Sequence, residues 1–286
     1  MWNKGEKESL IGLLDDPSPV VQQNLLAHFS QDEENAVQFL QELIDEKRGP
    51  LAFFAKQYLD KLGVDDTIAT FREFINSFNY ELETGCWLLD RTVNPRLDVT
   101  KTSEILDEMG VRALELFVEP CSYKEKCRVI NRVIFHDNGF RGDIEEYKNP
   151  NSSFISHVLK SRKGIPLSLS IIYILVAMRC GVDLRPIGVP GRFMVGCFSE
   201  DKPFFIDVFE NGRFLSVADV LIFLETNRID YNEGSLAPIP VGEALCRNCK
   251  NLHNQYLGIQ DQEHAALFGE FVEAFEDAYK RAHRTS

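Results

Sequence analysis

Lys163-Gly164-Ile165-Pro166-Leu167-Ser168-Leu169-Ser170, with the apolar block of residues 171–178 behind it, is the stretch that decides how this chain folds. Proline costs nothing at the first helical position, where its missing N–H has no partner within the helix and its fixed φ is already helical. From Leu167 to Ala177 no clean polar face appears, and the first charge is Arg179. The spacing therefore predicts a helix buried nearly all round. Cys180-Gly181 ends it, glycine being suited to a left-handed cap.

Downstream of this helix, residues 185–189, 192–198 and 203–209 read as short strands, with a turn at Pro190-Gly191 between the first two. Asn211-Gly212 is the strongest short hairpin signal, because both residues tolerate positive φ. Residues 213–216 then pair back and residues 217–226 read as helix. Before this core, residues 67–78, 81–89, 104–118 and 123–135 carry helical apolar spacing. Ser103 is the expected cap of the third of these, and Ser152 or Ser153 the cap of a helix over residues 154–160. His136 begins a loop. Residues 243–284 return to helix after a turn-rich connector at 230–242.

The N-terminal residues 9–62 read as paired helices. Leu10, Ile11, Leu13 and Leu14 form one apolar face, Asp15-Asp16-Pro17-Ser18-Pro19 turns the chain, and Val20, Leu25 and Phe29 resume it. Lys47-Arg48-Gly49-Pro50 separates two further helices, and Gly63-Val64-Asp65-Asp66 marks a boundary. The Leu-Leu-Asp-Asp-Pro pattern at 13–17 resembles one unit of a HEAT-type repeat, which needs a neighbour to cover its apolar face.

A formal net charge of −13 argues against sequence-independent nucleic-acid binding and against anionic membranes, both of which call for basic surface. No segment has the apolar length of a membrane span. Seven cysteines, odd in number and at buried-looking positions, do not read as a disulfide framework, and the chain is placed in the cytoplasm.

Four segments occur in an order that resembles the bacterial SirB family. They are Asn149-Pro150-Asn151-Ser152-Ser153-Phe154, Gly164-Ile165-Pro166-Leu167-Ser168-Leu169, Pro190-Gly191-Arg192-Phe193 and Phe205-Ile206-Asp207-Val208-Phe209. The resemblance implies a transglutaminase-like core related to the papain-like fold, and a tail similar to a tetratricopeptide-type helix pair. The fold class expected is α+β. Residues 1–64 form a HEAT-like helical region, 65–138 a helical region, 139–229 the transglutaminase-like core, and 230–286 a connector and helical tail.

A catalyst on that core needs a thiolate at the N-terminus of the buried helix, a histidine on a following strand, and an acid to orient it. Read onto this chain, the cysteine position is Pro166 and the histidine position is Arg192. Only the acid remains, as Asp207. Arginine stays protonated near neutral pH and cannot act as a base. No catalytic residue is expected. Strand adjacency should instead bring Arg192 to Asp207 as a charge-assisted pair. Asn151, Gly164, Pro166, Ser168, Gly191, Arg192 and Asp207 are the expected cleft residues.

Cys246-x-x-Cys249-x-x-x-His253 has the donor types of a zinc site but lacks a fourth ligand, and helical spacing makes it a buried face. His157 and His136 are spare histidines, and Cys180 and Cys197 inert thiols. No metal or cofactor is expected. The favoured function is non-catalytic binding of an unknown protein or peptide partner. A divergent amide hydrolase or acyl transferase and a helical adaptor are the alternatives.

Overall fold

A computed structural model describes residues 2–45, 50–62, 66–142, 144–189 and 192–285. The chain divides into two compact units, Met1–Thr67 and Ile68–Ser286. In the first, α1 (Lys4–Ile11), α2 (Pro19–Gln31), α3 (Glu33–Asp45) and α4 (Pro50–Lys61) succeed one another. Asn3 and Glu6 cap α1 reciprocally, and Pro19 opens α2. Leu10, Leu14, Leu25, Phe29, Phe39 and Tyr58 are buried together. The expected apolar face is only partly right, since Leu13 and Val20 are exposed. Trp2 supplies apolar cover instead, stacking on His28 and Phe29 while its indole N–H donates to Asp32. The expected separators Lys47, Arg48 and Gly49, and Gly63, Val64 and Asp65, lie outside the described residues.

The second unit begins with α5 (Thr67–Ser77), α6 (Leu82–Arg91), α7 (Val99–Leu116) and α8 (Tyr123–Asn131). Helix α7 starts earlier than its apolar spacing suggests. Asp98 is its cap, accepting from the Lys101 N–H at 3.0 Å, and Ser103 lies inside the helix and donates to Glu83. After α8 the chain widens into a π-helical turn, Arg132–Asp137, so His136 belongs to helix rather than loop. Next come β1 (Arg141–Gly142), a 3-10 turn at Pro150–Ser153, α9 (Ile155–Ser161) and β2 (Lys163–Gly164), with β1 and β2 parallel. Neither Ser152 nor Ser153 caps α9. A carboxylate oxygen of Asp90, from α6, accepts the Ser156 N–H at 2.7 Å instead.

Helix α10 (Pro166–Arg179) occupies the centre, and every residue from Leu167 to Ala177 is buried. It packs against α7, α8 and α9, against the strand Arg192–Cys197 and against the helix Val241–Gly258. Its last residue, Arg179, forks onto Glu83 with two 2.9 Å hydrogen bonds and also reaches Asp107, tying the end of the helix to α6 and α7. The sheet is antiparallel and runs β3 (Arg185–Val189), β4 (Arg192–Cys197), β5 (Phe204–Asp207), β6 (Arg213–Ser216) in spatial order. The expected Pro190-Gly191 turn falls outside the described residues.

Alternation along the strands divides the sheet's two faces. Phe193, Val195, Cys197, Phe204 and Ile206 join the cluster around α10. Met194, Phe205 and Leu215 join Val220 and Leu224 of α11 (Val217–Thr226) on the other side. The hairpin residues Asn211 and Gly212 take φ of 52° and 76°, as their sequence predicts. Strand β5 stops at Asp207, short of the expected Phe209, because the Asp207 carboxylate captures the N–H groups of Phe209 and Glu210 and turns the chain early. Helices α12 (Val241–Gly258) and α13 (Gln262–Thr285) pack on one another and complete an α+β unit. Among the described residues, no helix is long and apolar enough to cross a membrane.

Asp90 makes the fold pH-sensitive. Burial pushes its carboxyl up to about 7, against the opposing pull of Ser156 and Ile155. A folded-state value above the unfolded one means the native protein holds its proton longer. The stabilisation is complete below the ordinary carboxylate range and is lost as pH rises towards about 7. Between pH ~5 and ~6, urea unfolding should show wild type losing about 1.4 kcal/mol per pH unit relative to Asp90→Asn. A gap that stays constant with pH would remove Asp90 as the titrating group.

Candidate functional site

The start of α10 is assembled from local hydrogen bonds. The Ser168 hydroxyl accepts the Ile165 N–H at 3.2 Å and donates to the Ser152 carbonyl at 2.6 Å. Ser168 is fully buried. Its proton is committed to that carbonyl, and it does not line an opening. Gly164 is required by close approach, since a Cβ there would stand 2.9 Å from both Ser168 Oγ and a Val158 methyl. Asn149 caps the next turn by accepting the Asn151 N–H at 3.0 Å, while Asn151 itself is exposed. The Asn-Pro-Asn-Ser-Ser phrase and the Gly-Ile-Pro-Leu-Ser phrase thus interlock through Ser152 and Ser168.

Helix α12 is stitched to that junction and to the edge of the sheet. Ser153 donates to the Gln255 side-chain carbonyl at 2.7 Å, and Asn248 donates to the Ser153 carbonyl at 3.0 Å. The Gln255 amide donates to the Tyr147 carbonyl, and the Arg247 guanidinium to the Gly188 carbonyl of β3, each at 3.0 Å. These bonds leave a cavity of about 620 Å³ between the three parts. Ile165, Pro166 and Leu167 form one wall, and Val189, Arg192 and Phe193 another. Helix α12 lines it with Glu243, Cys246, Arg247, Lys250, Asn251 and Asn254. Gln255 and the half-exposed Tyr147 complete it.

Arg192 and Asp207 form an ion pair on adjacent strands. Both carboxylate oxygens are occupied. Oδ1 accepts the N–H groups of Phe209 and Glu210 at 3.1 and 3.2 Å, and Oδ2 faces the Arg192 guanidinium. That guanidinium also lies over the Phe223 ring of α11, 4.7 Å from its centre. Asp207 is completely buried, and burial raises its carboxyl above the ordinary range despite the opposing pull of Arg192 and the Glu210 N–H. The carboxylate is held in the turn that follows β5.

Of the residues singled out from sequence, Pro166 and Arg192 line the cavity and Asp207 is buried with Arg192. Gly164 and Ser168 build the helix start without lining the cavity, and Asn151 stays outside it. Gly191 lies outside the described residues. Sequence reasoning misses the cavity face of α12, although Glu243, Arg247, Asn251 and Asn254 make a polar stripe at helical spacing. Among the described residues, no cluster of three or more His, Cys, Asp or Glu is placed to hold a metal. Cys249 is buried in α12, and His253 donates to the Ala265 carbonyl at 2.7 Å. Cys246 reaches the cavity, but burial pushes its thiol up, as it does for Cys197 and for Cys180, the last to about 11. His157 is half-buried on α9 and His136 is exposed.

Comparison with known proteins places this geometry in context. A family model described as the transglutaminase-like superfamily matches residues 100–250, from α7 into α12. The chain is similar to a UPF0162 protein of Xylella fastidiosa, 30% identical over 191 residues covering 63% of this chain and 66% of that protein. A UPF0162 protein of Vibrio cholerae is 28% identical over 137 residues, 48% of this chain and 50% of its own. F-box only protein 21 of Mus musculus is 32% identical over 98 residues, 32% of this chain and 16% of that protein. The matches thus span two thirds or less of these relatives' lengths. No solved structure matches the chain.

Removing Arg192 alone leaves a buried carboxylate without its cation. Arg192→Met is therefore expected to cost about 3–5 kcal/mol in urea unfolding, and Arg192→Met with Asp207→Asn considerably less. A loss in the double variant equal to the sum of the Arg192→Met and Asp207→Asn losses would mean that the pair carries no coupling.

Proposed function

The chain belongs to the transglutaminase-like superfamily, and on that premise we propose that it is a non-catalytic binding protein of the SirB type, working through the cleft between α10, the sheet and α12. The observation that carries this reading is the Arg192–Asp207 ion pair. A transglutaminase-like catalyst spends its acid on an imidazole, whereas here the acid neutralises a permanent cation. At the helix start, where such an enzyme carries its thiolate, Pro166 offers neither a nucleophile nor an N–H. Ser168, two residues on, has its hydroxyl proton committed to Ser152. What remains is a cavity of about 620 Å³, within the usual size range of ligand sites.

One observation favours the enzyme alternative, namely that Cys246 lines the same cavity. Its raised thiol works against that role, because the thiolate is the nucleophile and burial suppresses it. The test is labelling of purified protein with a thiol-directed and a serine-directed covalent probe, alongside amide and ester turnover. We expect no turnover, no serine labelling, and alkylation of Cys246 no faster than of a free cysteine. Turnover abolished by Cys246→Ala, in protein that still folds, would overturn the proposal.

A further inference from the structure

Helix α12 presents a row of polar groups to the cavity, with Glu243, Arg247, Asn251 and Asn254 on successive turns and Lys250 beside them. The facing residues Ile165, Leu167, Val189 and Phe193 are apolar. The cleft is therefore two-sided, apolar on one wall and rich in hydrogen-bonding groups on the other. Three cations, Arg192, Arg247 and Lys250, line it, each paired with a carboxylate, Asp207, Glu243 and Glu276 in turn. Lys250, whose pair is the most exposed of the three, is the group that can draw an anionic ligand into the opening.

The partners of these groups say which of them are available. Arg192 is held by Asp207, and Arg247 by Glu243 and the Gly188 carbonyl, so both are fixed in position. Lys250 pairs with Glu276 at 3.0 Å, but both side chains are about half exposed, at 48% and 49%. A pair of that kind is weak and screened by salt, so the ammonium can turn to a ligand. The Asn251 and Asn254 amides bond to no described residue, and each offers both a donor and an acceptor, the complement of a peptide group.

We propose that this cleft takes an extended peptide segment bearing an acidic side chain. Its apolar side chains lie on the wall of Ile165, Leu167, Val189 and Phe193. Asn251 and Asn254 bond its peptide groups, and Lys250, with Arg247 held beside it, takes the carboxylate. This rests on the cleft-binding reading above and adds the class of ligand.

The experiment is fluorescence anisotropy with the full chain and a short fluorescein-labelled peptide alternating leucine and glutamate, against its leucine–glutamine counterpart. The acidic peptide is expected to bind at least about tenfold tighter at low salt, with the difference shrinking as salt rises. Lys250→Gln is expected to weaken the acidic peptide by about three- to tenfold and spare the other, and Asn254→Ala to weaken both. Lys56→Gln, an exposed position within Met1–Thr67, is the charge-matched control and should change neither. Equal affinity for the two peptides, no binding of either, an unaltered Lys250→Gln variant, or binding of phosphatidylserine vesicles in place of the peptide would each overturn the proposal. Mass spectrometry of the recovered peptide separates the two readings. An acidic peptide that binds as expected but returns cleaved would refute the non-catalytic function and leave the ligand class standing.

Discussion

A helix with no polar side has to be covered from every direction, and the second unit is arranged around that requirement. Leu167 to Ala177 of α10 are buried without exception, so neighbours close on it from α7, α8, α9, α12 and β4. At about 1.5–3 kcal/mol for each large aliphatic side chain removed from water, this one helix gives a large share of the driving force for the unit. Its ends still carry unsatisfied backbone and charge. Arg179 resolves one end by binding Glu83 and Asp107, and Ser168 the other through Ile165 and Ser152. The cleft lies where the second of these junctions meets the surface.

Asp207 has structural work of its own. One Asp207 oxygen holds the N–H groups of the turn leading to Asn211 and Gly212, and the other neutralises Arg192. Removing the carboxylate would leave buried donors unsatisfied and a cation unpaired, each costly in an apolar setting. At the start of α10, Pro166 takes the first helical position, where proline is favourable.

The third wall comes from farther along the chain. Helix α12 reaches the α10 junction through Ser153, Asn248 and Gln255, and the edge strand through Arg247 and Gly188. Those bonds carry its polar stripe into the opening. Arg247 also satisfies a carbonyl on the free side of β3, as the Ile239 N–H does for Pro186, so the edge of the sheet is partly closed by the wall of the cleft. Shaping the cleft and protecting the edge strand are achieved by the same side chain.

The central helix, its proline start, the strands over 185–216 and the Asn-Gly turn are all legible in the sequence, because each depends on neighbours a few residues away. So are the proline that opens α10 and the arginine that opens β4. Helix starts are less legible wherever a distant group supplies the cap. Asp90 serves α9 across sixty-six residues of chain, and no local pattern announces it. Strand β5 ends early for a related reason, a side chain bonding the backbone ahead of it. The cleft itself depends almost wholly on tertiary structure. Ser168 and Gly164 look like site residues by their place in the phrase, yet packing turns them inward. Glu243, Arg247, Asn251 and Asn254 look like an ordinary solvated face until the folded chain lays that face along the start of α10. Hydrogen bonds and apolar contacts within a turn or two leave a mark on the local sequence, while those between distant segments exist only once burial has brought the segments together.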